Sequence, residues 1–404
     1  MIINLAWRNV WRNKTRSLAV ILGLSSGLLG AIFYAALGNG MVDNWVQTAI
    51  DLELSDIKIH REDYLTLEEL DMTMSAQPIT GILDTIKNVK SYSTRVRVDG
   101  MAMTANNVQQ VTLFGVNPNI EKSVSSIAEN LVEGSFFDSL TRSKPIVVSR
   151  RLADKLKVRM RSKIIFTLAD INGDIAYENF KVVGIFKTNN SMFDEINVFV
   201  LKEHLTTILK IPNGQCHEIA IRVNDELLTE STSLSISEML SDKKVQTWKD
   251  QSPTLRVVES TMGMYNYILI GIVLVALIFG IVNTMLMVIL ERTREIGMLR
   301  SLGMHKKKIA YMITMETIFL CLVGAVIGNI FSYILIQYYG VQGIHFEQFA
   351  EGFEQYGMSS SMYPTLEMTF YINITVMVVF TAVFSSIFPI VRAFKLDPAS
   401  AIRD

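Results

Sequence analysis

Residues 260–290 carry no charged side chain, and no other feature restricts the chain's folding as strongly. About 20 consecutive apolar residues in helical form cross the hydrocarbon core of a bilayer. Three further runs are comparable: 17–42, 309–339 with Glu316 as its only charge, and 368–391. Inside lipid, every backbone polar group must be bonded within its own segment, so all four runs are expected to be helices. Half of the 404 residues are hydrophobic and the net charge is -1. That is rich for a soluble protein and poor for an all-membrane one, so a large aqueous domain must accompany the spans. Residues 43–259 supply it.

Loop charges orient the chain. Arg8, Arg12, Lys14 and Arg16 precede the first run, and Arg292, Arg294, Arg300 and Lys306 to Lys308 lie between the second and third. Arg392, Lys395 and Arg403 follow the fourth. Basic loops stay inside, so both termini are expected in the cytoplasm. The loop after the third run holds Glu347, Glu351, Glu354 and Glu367 without a Lys or Arg, and belongs outside. Four spans satisfy this only if 43–259 is outside as well. The expected fold class is membrane α-helical, with four transmembrane helices and a large extracytoplasmic α+β domain inserted between helices 1 and 2. The expected boundaries are 1–16 for an interfacial amphipathic helix, 17–42 for span one, 43–259 for the domain and 260–290 for span two. Then follow 291–308 for a cytoplasmic coupling helix, 309–339 for span three, 340–367 for an outer loop, 368–391 for span four and 392–404 for the tail.

Within 1–16, Ile3, Trp7, Val10 and Trp11 share one helical face, and Trp7 and Trp11 suit the membrane interface. Gly23 and Gly27 are spaced as a GxxxG pair, which permits close helix contact and makes them candidates for a dimer seam. Gly324 and Gly328 repeat that spacing, and Pro389 is expected to break span four near its end.

The domain interleaves strand and helix patterns. Strands are expected at 56–60, 91–98, 108–116, 145–149, 196–200, 217–223 and 244–248. Asp99-Gly100 and Asn106-Asn107 read as turns, and 163–168 with 175–186 as a hairpin about Asn172-Gly173. Helices are expected at 78–88, 150–157, 203–209 and 226–240.

The segment 291–308, ERTREIGMLRSLGMHKKK, joins two spans yet is helical in character. It has no Pro, and Arg292 and Glu295 are three apart, as are Glu291 and Arg294, a spacing at which opposite charges meet on a helix. Gly303 is the expected stop. A solvated loop would suffice for the positive-inside rule. Met298, Leu299 and Leu302 argue for more, since exposed apolar side chains in a charged segment are costly unless something covers them. No catalytic constellation is present: HExxH, GxSxG and CxxC are absent and the five His are scattered. Of the two Cys, Cys216 falls in the expected outer domain and Cys321 inside a span, and neither has metal-ligand spacing with a His, so neither a disulfide nor a metal site is expected. The chain has no Walker A pattern, so any ATP and its Mg must be bound by another chain, and no cofactor is expected here. No basic face suits nucleic acid. Glu316, inside a span, is expected to pair with the basic loop rather than to carry protons.

REIGMLRSLG, followed by a basic cluster and a span with Glu316, resembles the signature of FtsX-like permeases, a group that includes lipoprotein-releasing and macrolide-exporter (MacB-type) permeases. RNVWRNKTRS near the start, TLFGVNP (112–118), LVEGSFF (131–137), PIVVSRRLADKLKV (145–158), FKVVGIF (180–186) and the closing AFKLDPASAIRD extend the likeness over nearly the whole chain. The wording is slightly closer to the lipoprotein-releasing permeases. The resemblance implies that Arg294, Glu295, Met298, Leu299, Arg300, Leu302 and Gly303 dock on the ATPase dimer of an ABC transporter in the bacterial inner membrane, with Glu316 as an intramembrane coupling group. It also implies a second permease chain, identical or paralogous, and mechanotransmission that releases or exports a lipoprotein or other amphipathic cargo. A periplasmic carrier is a further partner in such systems. The long hook that recruits one is replaced here by the tight Asn172-Gly173-Asp174 turn. The other reading is an FtsX-type scaffold that activates a cell-wall hydrolase without transport, although such scaffolds have much smaller outer domains.

Overall fold

The computed structural model describes residues 2–62, 64, 69–105, 107–137 and 144–395. Arg403 and most of the closing motif, and Asn106 of an expected turn, lie outside the described residues. The chain divides into two compact units. One holds 1–42, 259–344 and 362 onward, and the other holds 43–258 and 345–361.

In the membrane unit, four helices among the described residues are long and apolar enough to cross a bilayer: Lys14–Ala49, extended by a π-helical turn Ile50–Leu54, then Pro253–Glu291, Lys306–Gln342 and Met368–Lys395. They bury one another through Leu28 and Ile32 of the first, Ile270 and Leu274 of the second, Ile313 of the third and Ile374 and Val378 of the fourth. Their outer faces remain apolar and exposed, as with Phe279, Phe331 and Phe384, which suits lipid rather than water. Few polar groups enter this bundle, and several pair between helices. Asn329 Nδ2 donates to Thr375 Oγ1 at 2.9 Å, and Asn373 Nδ2 to the Tyr267 hydroxyl at 2.8 Å.

Two expectations change here. The N-terminal helix expected over 1–16 is Ile2–Val10 and ends before Trp11, and the first span's helix already begins at Lys14. The Ser17 hydroxyl donates to the Val10 carbonyl and closes the corner. Pro389 does not break span four, whose helix continues to Lys395. Pro389 is packed inside the bundle, and the Ser385 and Ser386 hydroxyls bond to the carbonyls of Ala382 and Val383, so the turn before the proline is held locally.

The inserted domain is built on β1 (Ile57–His60), β2 (Met74–Ser75), β3 (Val89–Met103), β4 (Val108–Val116), β5 (Leu131–Gly134), β6 (Pro145–Ser149), β7 (Lys163–Ala169), β8 (Ile175–Phe186), β9 (Asn197–Leu201), β10 (Gln215–Cys216), β11 (Glu218–Val223) and β12 (Lys244–Thr247). Among the described residues, ten strands form one mixed sheet in the order β12-β1-β11-β3-β4-β9-β6-β8-β5, with β7 bridging β3 and β8. The Asn172-Gly173 hairpin is present, with Gly173 at φ +84°. The Asp99-Gly100 turn is not, because β3 runs straight through it. Gly100 pairs with both Val111 and Leu168, and a Cβ there would collide with the Leu168 side chain and the Thr167 carbonyl. The glycine serves close approach, not a turn.

A buried ion cluster sits on this sheet. Arg95 Nη2 meets Glu121 Oε1 at 2.6 Å, and Lys58 Nζ meets Glu218 Oε2 at 3.2 Å, with all four side chains at most 6 % exposed. Residues 345–361 pack with this domain as well. Helix Ala350–Gln355 contacts helix Ser191–Ile196, and Lys187 Nζ lies 3.4 Å from Glu354 Oε1.

Candidate functional site

Helix Thr293–Ser301 follows directly on the second span's helix and places the candidate residues. It ends in a left-handed cap. Gly303 lies at φ +87°, its N–H donates to the Arg300 carbonyl at 3.1 Å, and the Met304 N–H donates to Leu299 at 3.0 Å. A residue with a Cβ adopts that φ only with strain, so the glycine fixes the stop. One face of the helix is buried at Ile296 and Gly297. Met298, 57 % exposed, and Leu302, 78 % exposed, stand on the other. Arg294 and Gly303 are exposed with them, while Glu295, Leu299 and Arg300 are half-buried.

A charged cradle holds the helix in place. Arg292 Nε donates to Glu295 Oε2 at 2.9 Å and Arg292 Nη1 to Glu316 Oε1 at 3.2 Å. Glu316 is 5 % exposed, and the Asn9 side-chain amide donates to the same oxygen. Arg12 Nη1 lies 2.6 Å from Glu295 Oε1, and Arg16 grips Glu291 with both terminal nitrogens. Burial pushes the Glu295 carboxyl up, but Arg292 and Arg12 outweigh it and hold the group below the usual glutamate range. A cavity of about 170 Å³ lies among these side chains, between the N-terminal segment, the second span's end and the third span. Three guanidinium groups face three carboxylates there, so the cavity walls carry no net charge.

The expected pair Arg292–Glu295 is formed, and Glu291 pairs with Arg16 instead of Arg294. Glu316 meets the charged loop through Arg292, as expected. Sequence reading missed the N-terminal half of the cradle. The signal was the spacing of Asn9, Arg12, Asn13 and Arg16, which a helical reading places three or four apart. Trp7 and Trp11 are 43 % and 39 % exposed, their rings 6.0 Å apart, with Trp7 also edge-on to Phe319 at 5.5 Å. Gly23 faces open space, whereas Gly27 packs on the Leu277 side chain of the same chain, so the two do not share one free face. Gly324 and Gly328 lie where helices meet closely, against Leu24 and Ser25 of the first span.

Comparison with known proteins gives two family matches. Residues 17–238 match the MacB-like periplasmic core domain, and residues 267–398 match the FtsX-like permease C-terminal region. The macrolide export ATP-binding/permease protein MacB of Neisseria meningitidis serogroup A is 24 % identical over 339 residues, covering 79 % of this chain and 50 % of that protein. An uncharacterised ABC transporter permease of Methanocaldococcus jannaschii is 22 % identical over 350 residues, covering 83 % of this chain and 84 % of that one. The chain thus spans about half the length of the MacB proteins it matches. Among solved structures, the periplasmic region of MacB from Actinobacillus actinomycetemcomitans aligns with a TM-score of 0.35 at 10 % identity, covering 50 % of this chain and 93 % of that one.

Proposed function

We propose that this chain, which belongs to the MacB/FtsX-type family of ABC transporter permeases, is the membrane subunit through which a separate ATPase moves the inserted domain. The carrying observation is the two-sided helix Thr293–Ser301. Its inner face is buried and tied by Arg292 and Glu295, and its outer face presents Met298 and Leu302. A helix held this way transmits a push, because the rigid ion pairs and packing leave it little freedom to yield. The exposed pair fits an apolar notch on an ATPase subunit, with Arg294 and Arg300 at its rim. ATP and Mg belong to that partner, and the chain itself does no chemistry.

The basic loops support a cytoplasmic position for this helix and both ends of the described chain, in a bacterial inner membrane. The inserted domain then lies outside, where a second permease chain supplies its counterpart. Among the described residues the few polar groups in the bundle include pairs held between helices, which favours mechanotransmission to the outer domain over passage through the spans. The cargo is a lipoprotein or another amphipathic molecule. Cysteine cross-linking tests the docking. Met298→Cys and Leu302→Cys, each labelled with a benzophenone maleimide, should on illumination form a covalent adduct with an ATP-binding protein in native membranes. Adducts to lipid-facing proteins alone would overturn the reading.

A further inference from the structure

The inserted domain contains a second, larger feature that the coupling reading does not use. A cavity of about 1050 Å³, open to solvent, lies between the end of β4 with the turn after it, helix Lys202–Ile208, and residues 213–214. Lys202 lines it. Its Nζ donates to Thr94 Oγ1 at 2.7 Å and, among the described residues, meets no carboxylate. A half-buried ammonium without a carboxylate beside it among the described residues is unfavourable, and burial draws this amine below the ordinary lysine range. The neighbouring Cys216 supplies no anion, since burial pushes its thiol up to about 11.

We propose that this cavity binds a small amphipathic monocarboxylate, its carboxylate on Lys202 and Thr94 and its aliphatic part along Val116, Ile120, Phe137 and Leu201. The lysine has two N–H donors not spent on Thr94, and the Thr94 hydroxyl has its own hydrogen to give, which together match the two oxygens of one carboxylate. A single positive charge balances a monoanion. A phosphate dianion would need a second cation, and the other ionisable group of the lining is Glu203, which is exposed and solvent-screened but of the wrong sign. The apolar residues on the same walls favour an attached hydrocarbon over a bare ion. The site stands whether or not Thr293–Ser301 docks on an ATPase.

The test is trace acetylation of the full chain in non-ionic detergent, read by mass spectrometry lysine by lysine, with hexanoate and inorganic phosphate as separate probes. Hexanoate at millimolar concentration should slow acetylation of Lys202 at least fivefold and leave the exposed Lys163 unchanged, and phosphate at the same concentration should protect far less. Ile120→Asp, at a position 42 % exposed and therefore tolerant, should abolish hexanoate protection while Lys202 stays reactive. Equal protection by phosphate, protection that survives Ile120→Asp, or no protection by either probe would overturn the proposal.

Discussion

Glu316 and Arg292 provide the sharpest energetic test of the cradle. Glu316 is 5 % exposed and accepts from Arg292 Nη1 at 3.2 Å and from the Asn9 amide. Glu316→Gln keeps the shape and leaves an oxygen for Asn9, but removes the charge that faces Arg292. Breaking a fully buried pair costs about 3–5 kcal/mol when the remaining charge is stranded. Arg292 is not stranded, because Glu295 Oε2 still lies 2.9 Å from its Nε. The expected loss for Glu316→Gln is therefore smaller, about 1.5–3 kcal/mol, the net worth of a hydrogen bond to a charged group. Arg292→Met should cost more, since it removes a cationic partner from both Glu316 and Glu295, leaving them Asn9 and Arg12 respectively. The double variant should be less damaging than the sum, with a coupling energy of about 1–3 kcal/mol. The assay is equilibrium unfolding of the four proteins of the cycle in mixed micelles. Additivity to within about 0.5 kcal/mol would refute the pairing.

Other predictions concern separate parts of the chain. Arg95→Met strands the buried Glu121 against the sheet and should destabilise the inserted domain by about 3–5 kcal/mol, with Arg95→Met/Glu121→Leu recovering much of it in chemical denaturation. Asp194 is 3 % exposed, and burial raises its pKa to about 6 in spite of hydrogen bonds from Thr188. Its folded form therefore holds a proton more tightly than the unfolded chain does. This group's contribution should rise by on the order of 2 kcal/mol as pH falls from above 6 toward 4, and Asp194→Asn should flatten that part of the stability profile. Gly324→Leu places side-chain atoms where a Cβ alone would sit 2.8 Å from Leu24, so it should lower the melting temperature of the membrane unit, whereas Gly23→Ala, facing open space, should not.

Much of this was legible in the sequence for a physical reason: lipid leaves few options. Four long apolar runs had to be helices, although the helices outrun the apolar stretches, the first reaching Ala49 and the second starting at Pro253. The helix between the second and third spans and its Gly303 stop were visible because opposite charges three apart and a left-handed cap are local signals. The cradle was less visible. Arg12 and Arg16 find Glu295 and Glu291 nearly 300 positions away, and nothing local announces a partner at that distance. Asp99-Gly100 misled for a related reason. A glycine that admits a neighbouring strand has the same letters as one that turns the chain, and only the pairing with β7 distinguishes them. Helix Ser191–Ile196 escaped because six residues carry little periodicity, although the Asn190 side chain caps it at Phe193 N, 3.0 Å away. Pro389 was over-read, because helices packed around a proline tolerate what an isolated helix does not.

The central claim is that the exposed apolar pair on Thr293–Ser301 is the ATPase contact. Burying a Leu is worth about 1.5–3 kcal/mol, so replacing Leu302, 78 % exposed, by Asp should weaken docking by a factor of about 10 or more without unfolding the bundle. Leu299 is a poorer probe because it is half-buried within the unit. The most direct measurement is purification of the full chain from native membranes, wild type against Leu302→Asp, with the ATP-binding protein that accompanies it identified and quantified. The account predicts an ATP-binding protein in stoichiometric amount with the wild type, largely lost with Leu302→Asp while the thermal melting of the chain is unchanged. Equal recovery with both proteins, or no ATP-binding protein with a folded wild type, would contradict it.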